Sequence, residues 1–202
     1  MPRYLFLIIL FAGTQVRSWG QEAKAFTLEA DEDGVQVYVR PEADDQMSVR
    51  VITTASATVR EVQSVIDDAP NYPRWVHRCA QAYVLDGGTP NAYTYYSRLN
   101  LPFPLSDREV VAAIVQSVDA ESGTLTRLIT STPEAMPATK GCVREAVYEA
   151  EWIIAPAGAG TVSIQCTVRT AAGASLPDWI RREIMTGGPV KTVRNLVARV
   201  SK

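Results

Sequence analysis

From Gln81 to Thr170 the chain reads as a nearly unbroken succession of extended runs, and this constrains its fold more than any other feature. Alternating or short apolar runs predict strands at about 81–85, 92–100, 108–118, 124–131, 143–154 and 161–170. The segments between them, "DGGTPN", "DAESG", "TPEAMPATKG" and "PAGAG", carry turn chemistry. Strands of this length in consecutive order predict a large antiparallel meander. Two further strands come earlier. In "GVQVYVRP" Val35, Val37 and Val39 share one face, and Val49 and Val51 do the same in "MSVRVITTAS".

Two segments switch to a helical period. Thr58-Val59-Arg60-Glu61 fits a capping box, and Val59, Val62, Ile66 and Ala69 recur at helical spacing until Pro70 ends the run. At the C-terminus Ser175 can cap a helix, with Pro177 near its first turn and Asp178 at its positive end. Leu176, Ile180 and Ile184 form an apolar stripe that Val193, Leu196, Val197 and Val200 resume. Gly187-Gly188-Pro189 interrupts it. Glycine costs a helix about 1 kcal/mol relative to alanine, and proline removes a donor and disfavours helix at the residue before it. Either one helix ends there and another begins, or the two glycines are a hinge on which residues 176–185 tilt as a gate.

A curved sheet of this size cannot bury its concave face against itself. The last helix is the natural filler, and incomplete filling leaves an internal cavity. The predicted class is therefore α+β: a curved antiparallel β-sheet wrapped around a C-terminal α-helix, with an internal hydrophobic cavity. At 202 residues and 47% apolar content the chain fits one domain. Its net charge of −2 argues against a nucleic-acid partner, since phosphate binding needs a concentrated basic face. The acidic groups at Asp31 to Asp33, Asp44-Asp45 and Asp67-Asp68 read as solvated turns.

The N-terminus reads as a signal peptide over residues 1–20. Arg3 supplies the positive start, "YLFLIILFAG" the apolar centre, and Ser18-Trp19-Gly20 a small-x-small cleavage site. Ala23-Lys24-Ala25 is a second site. The expectation is an exported chain, periplasmic or secreted, with a single domain over 26–202. Cys79, Cys142 and Cys166 allow one disulfide without choosing the pair, or serve as small buried hydrophobes. His77 is the one histidine and has no G-x-S-x-G beside it, so it reads as a surface or hinge residue. Clustered metal ligands are missing and the glycines at 158–160 form a hairpin turn, so neither a metal nor a cofactor is expected.

Five segments in order carry a resemblance: "DGVQVYVRPE", "YPRWVHRCAQAYVLD", "YYSRLNLPFPLSDREVV", "EAEWIIAPAGAGTVSIQCTV" and "GASLPDWIRREIMTGGPVKTVRNL". Together they resemble the START domain, a lipid-transfer family with a helix-grip fold, across roughly Phe26 to Lys202. The resemblance implies a cavity that holds a lipid and implies that Arg108 is a recurring residue. That arginine either braces the Pro-rich turn or contacts a lipid headgroup. Sterol-carrying relatives have a second arginine where this chain has Ile114, and an acid near Tyr95. Both changes make the cavity less polar and favour a ligand held mostly by apolar contact.

Alternation over 143–154 turns Glu145, Glu149 and Glu151 toward water and Arg144, Tyr148, Ala150 and Trp152 inward. The candidate ligand-binding residues are Tyr95, Arg108, Ile114, Tyr148, Trp152, Ile180 and Ile184, with Gly187, Gly188 and Pro189 as the gate. The favoured function is to bind an apolar lipid and carry it between membranes or partners, as a monomer in transient contact with membrane surfaces. The alternative is a helix-grip cyclase or hydrolase in which Tyr95, Arg108, Arg144 and Tyr148 orient and protonate an apolar substrate. A third reading is a sensor that uses the pocket to dock a partner.

Overall fold

A computed structural model describes residues 25–43, 46–85, 88–171, 180 and 182–201. The strands are β1 (Thr27–Glu32), β2 (Val35–Pro41), β3 (Met47–Ala55), β4 (Cys79–Val84), β5 (Ala92–Leu99), β6 (Asp107–Val118), β7 (Leu125–Ser131), β8 (Cys142–Arg144), β9 (Tyr148–Pro156) and β10 (Val162–Thr170). Helix α1 (Val59–Ile66) follows β3 and leads into a 3-10 turn, Ala69–Arg74. A π-helical turn, Glu183–Gly187, runs directly into helix α2 (Gly188–Val200).

One sheet contains every strand of the described residues. Its order is β1-β2-β3-β10-β9-β7-β6-β5-β4, with β8 beside the start of β6. All pairs along this path are antiparallel, as the meander predicts. The last strand, β10, pairs with β3 over its whole length, which joins the N-terminal strands to the meander. Helix α2 lies against β2, β3, β10 and α1, and buries Val193, Leu196 and Val200 at three- and four-residue spacing.

Local chemistry accounts for the elements. Thr58 and Glu61 form the reciprocal capping box: the Glu61 N–H donates to the Thr58 hydroxyl at 3.2 Å, and the Thr58 N–H donates to the Glu61 carboxylate at 2.8 Å. Val62 and Ile66 are the buried residues of α1. Asp33 and Gly34, at φ of 53° and 73°, make the β1–β2 turn, where both central residues take the left-handed conformation.

The structure differs from the sequence expectations in three places. Asp31 and Glu32 belong to β1, a mostly exposed edge strand whose polar composition hides it from a hydrophobic pattern. The expected strand at 143–154 is two strands. Its first part, β8, runs parallel to β6, and the chain leaves the ladder at residues 145–147 before β9. The glycines at 187–188 do not stop the helix. Their φ/ψ values are −64°/−37° and −62°/−54°, and the Gly188 N–H reaches the Glu183 carbonyl five residues back. This wider turn is a physical answer to Pro189, whose ring would clash with the carbonyl four residues before it in an ordinary helix. The expected cap at Ser175, with Leu176, Pro177 and Asp178, lies outside the described residues.

Candidate ligand cavity

The sheet curls around a cavity of about 140 Å³. Each wall is a set of alternate residues on one strand. β5 contributes Tyr95, Ser97 and Leu99; β6 Arg108 and Val110; β7 Arg127 and Ile129. β9 adds Tyr148 and Trp152, and β10 adds Cys166, Val168 and Thr170. The 3-10 segment and the loop after it supply Tyr72, Trp75, Val76 and His77, and the start of α2 supplies Gly188, Pro189 and Thr192.

The candidate residues thus divide. Tyr95, Arg108, Tyr148 and Trp152 meet in the cavity wall, and so do Gly188 and Pro189. Ile114 points to the same side of β6, but it stands between Tyr93 and Ile129 in the ladder and belongs to the packed core beyond the cavity. Ile180 is fully buried without lining the cavity, and the side chain of Ile184 lies outside those described. Gly187 is off the wall.

Arg108 answers why a buried strand opens with Asp-Arg. Its guanidinium donates to the Glu145 carboxylate, and both side chains are buried. Asp107 accepts a hydrogen bond from the Leu101 N–H at 3.2 Å, which ties down the Pro-rich turn. Glu145 was expected to face water. The break at 145–147 explains the difference: the Glu145 N–H bonds the Glu109 carbonyl at 2.9 Å, and strict alternation is lost there. The same break turns Arg144 away from the cavity. It donates to Glu109 at 3.1 Å and to the carbonyls of Met136 and Pro137, both at 3.1 Å. Glu109, with none of its surface exposed, also accepts from the Thr139 N–H and the Tyr96 hydroxyl. Burial pushes its pKa up, but the hydrogen bonds from Thr139, Tyr96 and Arg144 outweigh that and hold it below the usual carboxylate value. An enzymatic set containing Arg144 is therefore not assembled in the cavity.

Arg127 was not a candidate, yet it is the most heavily bonded side chain of the cavity. Only 1% exposed, it donates to Asp67 at 2.6 Å, Gln116 at 2.8 Å, the Tyr93 hydroxyl at 2.7 Å and the Tyr72 hydroxyl at 3.1 Å. Burial opposes its charge, but the Tyr72 and Tyr93 oxygens and Asp67 raise its pKa above the ordinary arginine value. The signal was present in "LTRLI": Arg127 shares the parity of Leu125 and Ile129, which are core residues. The tyrosine and cysteine groups of the wall stay protonated. Burial pushes the Tyr95, Tyr148 and Tyr72 hydroxyls above the usual tyrosine range and does the same to the Cys166 thiol. Burial also lifts Cys79, to about 11. All three cysteines are free.

On one side of the cavity the loop after the 3-10 turn meets the C-terminal helical segment. His77 Nε2 is 2.9 Å from Glu183 Oε1, and Lys191 Nζ donates to the same oxygen at 2.7 Å. The His77 N–H donates to the Thr192 hydroxyl, and Asn195 donates to the Trp75 carbonyl at 2.8 Å. Among the described residues no group of three His, Cys, Asp or Glu side chains is arranged to hold a metal.

A long curved antiparallel sheet closed by one C-terminal helix around a mainly apolar cavity defines a helix-grip protein. The START domain family matches residues 17–202, and the chain belongs to that family. The uncharacterized protein PA1579 of Pseudomonas aeruginosa is 29% identical over 181 residues, 89% of each chain. Among solved structures, a STAR-related lipid transfer protein from Xanthomonas axonopodis superposes with a TM-score of 0.78 at 24% identity, covering 88% of this chain and 99% of that one. Human StAR-related lipid transfer protein 5 gives 0.74 at 16% identity, covering 89% and 88%.

Proposed function

We propose that the protein is an exported, non-enzymatic carrier that binds an apolar lipid in the cavity and moves it between membranes or partners. The observation that carries this reading is the cavity itself: a largely apolar interior held between a curled sheet and α2 in a START family chain. The physical need is large. Each buried CH₂ is worth about 0.8 kcal/mol, so a sixteen-carbon chain costs on the order of 10 kcal/mol to expose to water. Carriage requires only that the cavity replace the membrane interior. Native mass spectrometry of the protein purified from its exported fraction tests it. A co-purifying lipid mass supports carriage, and an empty protein that takes up no lipid from vesicles refutes it. Export itself rests on the Arg3 charge and the apolar stretch after it. N-terminal sequencing is expected to start at Gln21 or near Phe26, and a chain retaining Met1 would overturn it.

Membrane contact is proposed at the turn between β5 and β6. Phe103 there is 97% exposed, among Leu101, Pro102, Pro104 and Leu105. The turn lies next to the cavity wall, since the Asn100 N–H bonds the Arg78 carbonyl and Leu99 lines the cavity. A fully exposed phenylalanine gains roughly 1.5–3 kcal/mol by entering an apolar phase. Phe103→Ser is expected to slow lipid transfer between vesicles by about tenfold while leaving affinity for a lipid presented in detergent unchanged. Equal transfer rates for the two proteins would remove this surface from the proposal.

The gate is proposed to hinge at Gly187, Gly188 and Pro189, where the π-helical turn meets α2. Both glycines already have helical φ/ψ, so alanine suits the closed backbone. A Cβ at Gly188 would meet the Glu183 carbonyl at 3.4 Å, an ordinary contact; one at Gly187 would stand 3.1 Å from the Glu183 carboxylate and displace it slightly. Replacing both with alanine is expected to preserve equilibrium affinity while slowing transfer severalfold, because opening needs the backbone freedom that glycine supplies. Transfer at the original rate in the folded double variant would show that the turn serves the helix alone.

A further inference from the structure

The cavity contains buried ionised groups, yet each faces a counter-charge from the protein. Arg108 is bound to Glu145, and both line the wall. Arg127 is bound to Asp67 and also donates to Gln116, Tyr72 and Tyr93. The imidazole of His77, also on the wall, is hydrogen-bonded to Glu183. Among the described residues, a phosphate or carboxylate brought inside would meet no unpaired cation, and would lose its hydration without replacement. The wall does offer neutral hydrogen-bonding groups. The Trp75 indole N–H, in a residue only 4% exposed, has no acceptor among the described residues. A buried donor left unpaired is costly, and such groups normally find a partner. Tyr95 and Tyr148 both line the wall, and burial keeps both hydroxyls protonated.

We infer that the ligand is an uncharged lipid that carries a carbonyl- or hydroxyl-type oxygen into the cavity, and that lipids placing a phosphate or carboxylate there are rejected. This rests on the proposed carriage and narrows it. The self-neutralised pairs set the charge selectivity, and Trp75 supplies a donor for the oxygen.

The test is a series of one chain length: hexadecane, methyl palmitate, palmitate and hexadecyl phosphate, each presented to the wild-type protein from phosphatidylcholine vesicles in mildly alkaline buffer. Methyl palmitate is expected to bind about fivefold or more tightly than hexadecane, as one added hydrogen bond gives. Palmitate and hexadecyl phosphate are expected to bind at least about tenfold more weakly than the ester. In Trp75→Phe the ester-to-alkane ratio is expected to fall toward one. Glu145→Gln keeps the volume while freeing Arg108, and is expected to raise palmitate binding relative to the ester by about tenfold. Anions that bind as tightly as the ester to the wild-type protein overturn the charge selectivity while leaving carriage intact. An unchanged ester-to-alkane ratio in Trp75→Phe overturns the role of Trp75. If none of the four binds, hexadecane included, carriage itself fails.

Discussion

Arg108→Met is expected to destabilise the protein by about 3–5 kcal/mol, because it leaves the Glu145 carboxylate buried without its cation. The two side chains are each less than one tenth exposed, and they join β6 to the segment between β8 and β9. Removing one ion of a buried pair costs far more than the pair contributes, since the survivor keeps its desolvation penalty and loses its compensation. The double variant Arg108→Met/Glu145→Leu is therefore expected to recover most of the loss. Urea unfolding of the single and double variants measures both values. A loss under about 1 kcal/mol in Arg108→Met would mean that water reaches the pair, and the charge-compensated cavity wall would have to be abandoned.

Arg127→Met is expected to cost about 2–4 kcal/mol, through four hydrogen-bonding partners left without a charged donor. These partners come from four places: Asp67 after α1, Tyr72 in the 3-10 turn, Tyr93 on β5 and Gln116 on β6. Arg127 thus fastens the helical layer to the sheet at the closed end of the cavity. Tyr72 completes the link by donating to the Ile66 carbonyl at 2.6 Å. Tyr93→Phe removes a single acceptor and is expected to cost only about 1 kcal/mol. Hydrogen exchange is expected to rise in α1 and the 3-10 turn of the Arg127→Met protein while the β3–β10 ladder stays protected. Uniform loss of protection would show that the arginine holds the whole fold and not that junction.

The sheet was readable in the sequence wherever one face is apolar. Val35 and Val37 on β2, Val49 and Val51 on β3, and Ile164 and Cys166 on β10 all turn inward as period two requires. Tyr148, Ala150 and Trp152 do so on β9. The same rule misplaced Arg144 and Glu145, because it assumes an unbroken strand and the chain leaves the ladder between them and Tyr148. Parallel pairing of β8 with β6 was not legible either. A three-residue strand has no period, and its partner is fixed by distant contacts such as Arg144 with Glu109. Arg127 and Gln116 occupy inward positions on strands whose neighbours are apolar. Polar residues at core parity are a sequence signal, but only the fold shows that they find one another. The glycine pair was recognised as unusual, and its consequence was a wider turn and not a break. Two glycines and a proline say that the ordinary helix is disfavoured, without saying which neighbouring geometry replaces it.

The Glu183 carboxylate gathers several basic side chains: His77 and Lys191 are in direct contact, and Arg78 Nη2 lies 3.9 Å away. It belongs to the π-helical turn, and His77 and Arg78 belong to the loop after the 3-10 turn. Lys191 chiefly, with His77, holds its pKa below the ordinary carboxylate value against the opposing effect of burial. Its depressed pKa means that the attraction is present above the unfolded value of about 4.3 and is lost only as pH falls through the lower folded value. Mild acid therefore leaves these contacts intact, whereas dissolved salt acts directly on them. The participating side chains are a quarter to half exposed, within reach of mobile ions that screen charges over roughly 10 Å at 0.1 M. Under the proposed gating, the lifetime of a bound ligand becomes a function of ionic strength: release measured in stopped flow is expected to quicken as salt rises, and to lose that dependence in Glu183→Gln.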